Sequence, residues 1–254
     1  MMNNNPLDNY TFAINPKHKK HIIARHLPSS DSLFIAKAFQ LQASPLLVIA
    51  NNSYEANRIA DELAYFAPNA RIAIFPDTEV LPYERVTPQG ELIASRLSTL
   101  WQMSMRQLDI VVVAGQSIQS RICPVNYLNS RILILKIADK LSISELRKKL
   151  LASDYGLVDN VYQAGEFAVR GGIIDIIPMG HNDLIRIELF DNEIESLKII
   201  DVKTKQLIEN TDKIEIIPTR EYPTDAQSIS EFSNNFKHKF PESSNENYIK
   251  EIKS

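Results

Sequence analysis

Glycine is scarce in this 254-residue chain, and none of its seven glycines falls in the first 89 residues. That scarcity excludes the usual way of holding a nucleotide. A P-loop wraps phosphate oxygens with backbone N–H groups, which requires glycine, and adds a lysine for the β- and γ-phosphates and a Ser/Thr for magnesium. Gly90, Gly115, Gly156, Gly165, Gly171, Gly172 and Gly180 are none of them followed by lysine. Residues 24–32, where such a loop would fall, read ARHLPSSDS. No apolar strand ends in Asp-Glu to hold magnesium, and Asp61-Glu62 lies inside a helical pattern. Gly115-Gln116-Ser117 is not a nucleophile elbow. We therefore expect neither a catalytic site nor a cofactor in this chain.

Cysteine is almost absent. Cys123 stands alone, so there is no intramolecular disulfide and no zinc knuckle, and it reads as a small buried residue. The five histidines show no metal-ligand spacing; His18, His21 and His26 sit in or beside a basic run at 17–25 that reads as a solvated face. Basic excess is absent too. Lys and Arg number 28 against 31 Asp and Glu, for a net charge of -3, which argues against a surface that grips nucleic acid as a whole. No apolar run approaches the ~20 residues of a membrane-spanning helix. The polar first residues lead into no signal-peptide core, so a cytoplasmic protein is expected.

What is present alternates. Helical spacing at 32–41 is followed by an apolar run at 46–50, which reads as a buried strand. A helix starting with Ser53 as its N-cap, a strand at 71–75, a helix at 91–103 and a strand at 109–114 come next. Strands separated by helices imply a parallel α/β sheet, assigned to residues 1–131. From 132 to 218 the pattern changes. Ser142 caps a helix at 142–151, with Glu145 at capping-box spacing. Strands at 166–170, 173–177, 184–190 and 193–200 follow at turn-length intervals and predict an antiparallel meander in an α+β domain. A third piece, 219–254, starts with a helix at 226–236, has a polar loop at 241–247, and stops inside an apparent helix at 248–253, so a longer natural protein is expected.

Strand periodicity singles out one face of the second domain. Ile185, Ile187 and Leu189 share the core side of their strand, leaving Arg186, Glu188 and Phe190 opposite. In the strand 166–170, Phe167 and Val169 face the core and Arg170 the other side. Gly171-Gly172 then reads as a turn or bulge that brings the next strand alongside. An aromatic beside arginines on a polar face is the composition of binding hot spots. The alternative is that Phe190 packs under its hairpin turn and both arginines pair with carboxylates. Asp175 within Ile-Ile-Asp-Ile-Ile reads as a strand residue facing polar neighbours rather than a catalytic acid. Between 132 and 218 there are 11 Lys and Arg against 15 Asp and Glu, which suits a protein partner better than a phosphate backbone.

Longer motifs then carry a resemblance. Phe75-Pro76-Asp77-Thr78-Glu79-Val80-Leu81-Pro82-Tyr83, then Pro88, then Ile93-Ala94-Ser95-Arg96-Leu97-Ser98-Thr99-Leu100, resembles a stretch of the transcription-repair coupling factors, the Mfd family. GEFAVRGGIIDIIPMG at 165–180, IRIELFDNEIESLKIID at 185–201 and Pro-Thr-Asp at 223–225 are similar to the same family. The likeness runs from about residue 46 to the end. It implies a degenerate RecA-like (P-loop NTPase-like) parallel-sheet domain with an inserted α+β UvrB-type interaction domain. It also implies a non-catalytic adaptor that recruits UvrA, of nucleotide excision repair, to lesion-stalled RNA polymerase. The family's UvrA-contacting positions fall on Arg170, Arg186 and Phe190, with Glu188 beside them. RNA polymerase, double-stranded DNA, ATP and magnesium are implied for downstream domains, including two motor domains whose motifs these 254 residues lack. A C-terminal domain of the same polypeptide is implied as a cover for the UvrA-binding face. Two readings compete with the adaptor. A nucleotide-dependent DNA-processing protein meets the missing lysine motif. A UvrB-like damaged-DNA binder meets the negative charge and the missing β-hairpin, for which the roughly fifteen residues between Phe75 and Glu91 leave no room.

Overall fold

The computed structural model describes residues 20, 29–41, 44–80 and 89–241. The expected features at 81–88 and 242–253, and most of the basic run at 17–25, lie outside these residues. The chain divides into two compact units, Met1–Glu79 with Gln102–Arg121, and Val80–Trp101 with Ile122–Ser254. These cuts differ from the sequence-based boundaries at 131 and 218. No helix among the described residues is long and apolar enough to cross a membrane.

The first unit holds α1 (Ser30–Leu41), β1 (Leu46–Ala50), α2 (Ser53–Phe66), β2 (Ile72–Phe75), the end of α3 (Gly90–Ser104), β3 (Ile110–Ala114) and α4 (Gly115–Ile118). The three strands are parallel, in the order β1-β3-β2. This is the arrangement that alternating strands and helices force, because a parallel pair needs a crossover. β3 is central and buried at every position. Ala36 of α1 and Ile59 and Leu63 of α2 pack with Val48, Ile110 and Val112. The continuous apolar run of β1 predicted burial on both faces, and the structure corrects that. Leu47 and Ile49 are 58% and 61% exposed. Among the described residues β1 is an edge strand, and its Val48 side is the one packed with helices. The cap of α2 also moves by one residue. Asn52 is extended and its side chain accepts the Glu55 N–H, which leaves Ser53 as the first helical residue.

The second unit holds most of α3, then α5 (Val125–Arg131), β4 (Leu133–Lys136), α6 (Ile143–Ala152), β5 (Gly156–Leu157), β6 (Glu166–Arg170), β7 (Ile173–Ile177), β8 (Leu184–Phe190), β9 (Glu193–Ile200), β10 (Leu207–Asn210), β11 (Lys213–Ile216) and α7 (Ala226–Lys239). The predicted meander is present with the expected bounds: β6, β7, β8 and β9 pair antiparallel in sequence order. β5 adds a parallel edge and β10 an antiparallel one, giving six strands. β4 and β11 form a separate antiparallel pair that joins the start of this region to its end. The capping box of α6 is realised: Ser142 Oγ accepts from the Glu145 N–H and Glu145 Oε2 accepts from the Ser142 N–H, both at 3.2 Å. One face of the large sheet carries Phe167, Ile174, Ile176, Ile185, Ile187 and Leu197, which are buried in a core shared with Leu146 and Leu150 of α6. Cys123 is buried in the same core, and burial pushes its thiol up to about 11. It is an unreactive core residue at neutral pH.

Buried polar groups tie the end of this unit down. Tyr155 donates its hydroxyl to the Ile217 carbonyl at 2.7 Å and accepts the Met179 N–H at 3.1 Å. The Arg96 guanidinium, 1% exposed, pairs with Glu221. Thr224 donates to the Asp154 carboxylate, and the Tyr127 hydroxyl donates to the carbonyls of Arg220 and Tyr222.

Candidate functional site

The candidate face is the side of the six-stranded sheet opposite the α6 core. Its register follows from pairing. Ala168, Asp175, Arg186 and Lys198 form one row across β6, β7, β8 and β9, and Arg170, Ile173, Glu188 and Ser196 form the next. Arg170, Arg186 and Glu188 therefore share one face, as the period of two requires. Toward the start of β8 this face is closed by a small apolar cluster of Val161, Ala168, Ile177, Leu184 and Ile200.

Asp175 is 7% exposed and lies across from Arg186. The guanidinium grips it twice, Nε to Oδ1 at 2.8 Å and Nη2 to Oδ2 at 2.9 Å. This is the planar bidentate pairing that arginine makes with a carboxylate. The Asp175 hydrogen bond raises the Arg186 pKa, so the cation is permanent. Arg170 takes a different course. Its Nη2 donates to the Asp159 carbonyl at 2.7 Å and to Asn160 Oδ1 at 2.5 Å, which anchors the side chain without neutralising it. Arg170, Asp175 and Arg186 line one cleft, together with Tyr162 and Lys205. Glu188 accepts from Lys198 Nζ and Ser196 Oγ, each at 2.6 Å, and these contacts, that with Lys198 first, hold its carboxyl below the usual range.

Phe190 ends β8 and is 68% exposed. It does not tuck under its hairpin. The turn residues Asp191 and Asn192 both have positive φ, 46° and 63°, which makes a tight two-residue connection matched to strand twist. Outside bonds brace this turn: Leu141 N donates to the Asn192 carbonyl at 2.8 Å, and Ile194 N to the Asp139 carbonyl at 3.0 Å. Gly171, at φ +58°, and Gly172 make the predicted turn between β6 and β7, and the Gly172 carbonyl accepts the Leu189 N–H at 2.8 Å. Phe190 thus projects from an end of the sheet braced by these hydrogen bonds. It stands four residues from Arg186, roughly 13 Å along the strand. Arg170 and Arg186 meet in one cleft, and Phe190 shares their face at its far end.

Residues 133–222 match the UvrB interaction domain family. Over 221 residues the chain is 33% identical to a transcription-repair-coupling factor of Haemophilus influenzae, a match covering 87% of this chain and 19% of that protein. The corresponding protein of Escherichia coli is 34% identical over 206 residues, 81% of this chain and 18% of its own length. That of Bacillus subtilis is 28% identical over 217 residues, 84% and 18%. The chain belongs to the transcription-repair coupling factor family. It spans about a fifth of the length of these curated relatives. All of the face described above lies within the part of this chain that matches the UvrB interaction domain. Both the family and the presence of this domain agree with the resemblance carried by the motifs at 165–180 and 185–201.

The alternative that both arginines pair with carboxylates holds for Arg186, with Asp175, while Arg170 is held by a carbonyl and an amide oxygen; the identity of these partners had no sequence signal of its own. The pairing of Arg186 with Asp175 needed the register of β7 against β8. The anchoring of Arg170 came from the loop at 159–160, which has no periodicity to read.

Proposed function

We propose that this chain is the UvrA-recruiting part of a transcription-repair coupling factor and acts as an adaptor without a catalytic site. The observation that carries the reading is Phe190, a large exposed aromatic on a braced hairpin, sharing a face with two anchored arginines in a UvrB interaction domain. Aromatics and arginines held rigidly lose little entropy on binding and dominate protein interfaces. The paired charges Arg186–Asp175 and Lys198–Glu188 leave the face without the cationic excess that a nucleic-acid surface needs.

The first unit is read as a degenerate RecA-like domain. Support comes from the start of α1. Ser29 Oγ and Ser32 Oγ donate to Glu62 at 2.8 and 2.6 Å, and Arg58 pairs with both Asp31 and Glu62. Two carboxylates therefore gather at a helix N-terminus where a nucleotide phosphate would need positive potential. RNA polymerase, double-stranded DNA and the ATP and magnesium of translocation are assigned to segments outside this chain. Capture of purified UvrA on the immobilised chain tests the reading. Arg170→Ala, Arg186→Ala and Phe190→Ala should each reduce capture, and undiminished capture by all three would remove the assignment.

A further inference from the structure

Arg186 has two carboxylates within reach of its face of the sheet. Asp175 lies directly across on β7, and Glu188 is two residues further along β8, on the same side. Lys198 stands directly opposite Arg186 on β9. Two cations and two carboxylates can pair in two ways. In the observed one, Arg186 takes Asp175 and Lys198 takes Glu188. In the other, Arg186 turns to Glu188, and Asp175 is left without a cation at 7% exposure. A buried carboxylate stripped of its partner is strongly unfavourable, whereas Glu188 and Lys198 are both partly in water. Ala168, the β6 neighbour of Asp175, brings no competing polar side chain. The burial of Asp175 therefore decides between the pairings.

We propose that Asp175 is a positioning residue that holds Arg186 on the β7 side of the face, in the cleft with Arg170, against the competing pull of Glu188. It fixes which way the guanidinium is presented to a docking partner. Arg186 Nη1 takes no part in this pairing, which is made by Nε and Nη2. The inference rests on the UvrA reading for its consequence but not for its geometry.

Asp175→Asn separates the charge from the shape, since the amide keeps similar volume and one acceptor. In the free chain, the Arg186 Nε–H resonance should lose about tenfold in protection from solvent exchange as the guanidinium turns to Glu188. Affinity for UvrA should fall by about tenfold. Adding Glu188→Gln removes the competing carboxylate and should bring affinity back to within about threefold of the parent. A fold defect would not be repaired by a second substitution on another strand. Lys198→Met, a change at a half-buried position that frees Glu188, should leave the Arg186 resonance where it is. An unchanged resonance and affinity in Asp175→Asn would overturn the proposal. So would equal loss in the double variant, or a moved resonance in Lys198→Met, which stays readable even if Asp175→Asn fails to fold. If Arg186→Ala leaves UvrA binding intact, the UvrA reading fails, while the Nε–H measurement still decides the role of Asp175.

Discussion

A side-chain carbon on Gly172 would stand 2.8 Å from the backbone oxygen of Leu189, the residue before Phe190. The obstacle is main chain, so it cannot swing aside. Gly172→Ala should push β8 away at its Phe190 end and destabilise the unit by about 1–3 kcal/mol. Gly171 offers a control. Nothing lies within 4 Å of where a methyl group on Gly171 would sit, but its φ is +58°, so Gly171→Ala should cost only the left-handed strain of about 1–2 kcal/mol. Urea unfolding of both variants checks the order. UvrA binding by the folded protein should fall for Gly172→Ala and hold for Gly171→Ala.

Arg96 and Glu221 are 125 residues apart in sequence and form an ion pair in which the arginine is almost wholly buried. Arg96→Ala leaves Glu221 without its cation and opens space in the core. A loss of about 3–5 kcal/mol in unfolding free energy is expected, the range for breaking a buried pair by removing one partner. Denaturant unfolding followed by the fluorescence of Trp101, five residues along α3, measures it. A loss under about 1 kcal/mol would place this pair with surface ion pairs.

In the first unit, Arg71 donates to Asp109 through its backbone N, Nε and Nη2 at 2.8, 3.0 and 2.7 Å. These bonds, the side-chain ones foremost, lower the Asp109 pKa from 3.8 to about 2. The folded pKa is depressed, so the stabilisation is fully present above 3.8 and is lost as pH falls from there through about 2. Carboxyl titration by NMR should find Asp109 near 2 in the parent and closer to 3.8 in Arg71→Ala. The variant's stability should then fall less steeply with acid over that window. The same Asp109 midpoint in both proteins would contradict the pairing.

Legibility in the sequence followed the physics of each element. β6, β8 and β9 were readable to their end residues because apolar and polar side chains largely alternate along them, with one face in the core, and β7, Ile-Ile-Asp-Ile-Ile, because it is a short β-branched run between turn-length gaps. Ser142 and Glu145 announced α6 because a capping box is a local bond pattern. β10 was missed because all four of its residues are exposed, so no burial pattern marks it. β4 and β11 were missed as a pair because their register joins residues about eighty apart. The candidate face was legible as a set of residues, since periodicity alone separates Arg186, Glu188 and Phe190 from the core. Its internal pairing was not, because Asp175 meets Arg186 only through the β7–β8 register. The exposed face of β1 was misjudged for a related reason: a run of apolar residues does not say how many neighbours the strand will have.

Phe190 tests the central claim most directly, because its side chain is mostly in water and its removal should leave the fold alone. Calorimetric titration of UvrA with the parent chain and with Phe190→Ala should show a loss of about 2 kcal/mol or more, roughly thirtyfold in Kd, with the thermal midpoint of the free chain unchanged. Equal affinities for the two proteins would contradict the account.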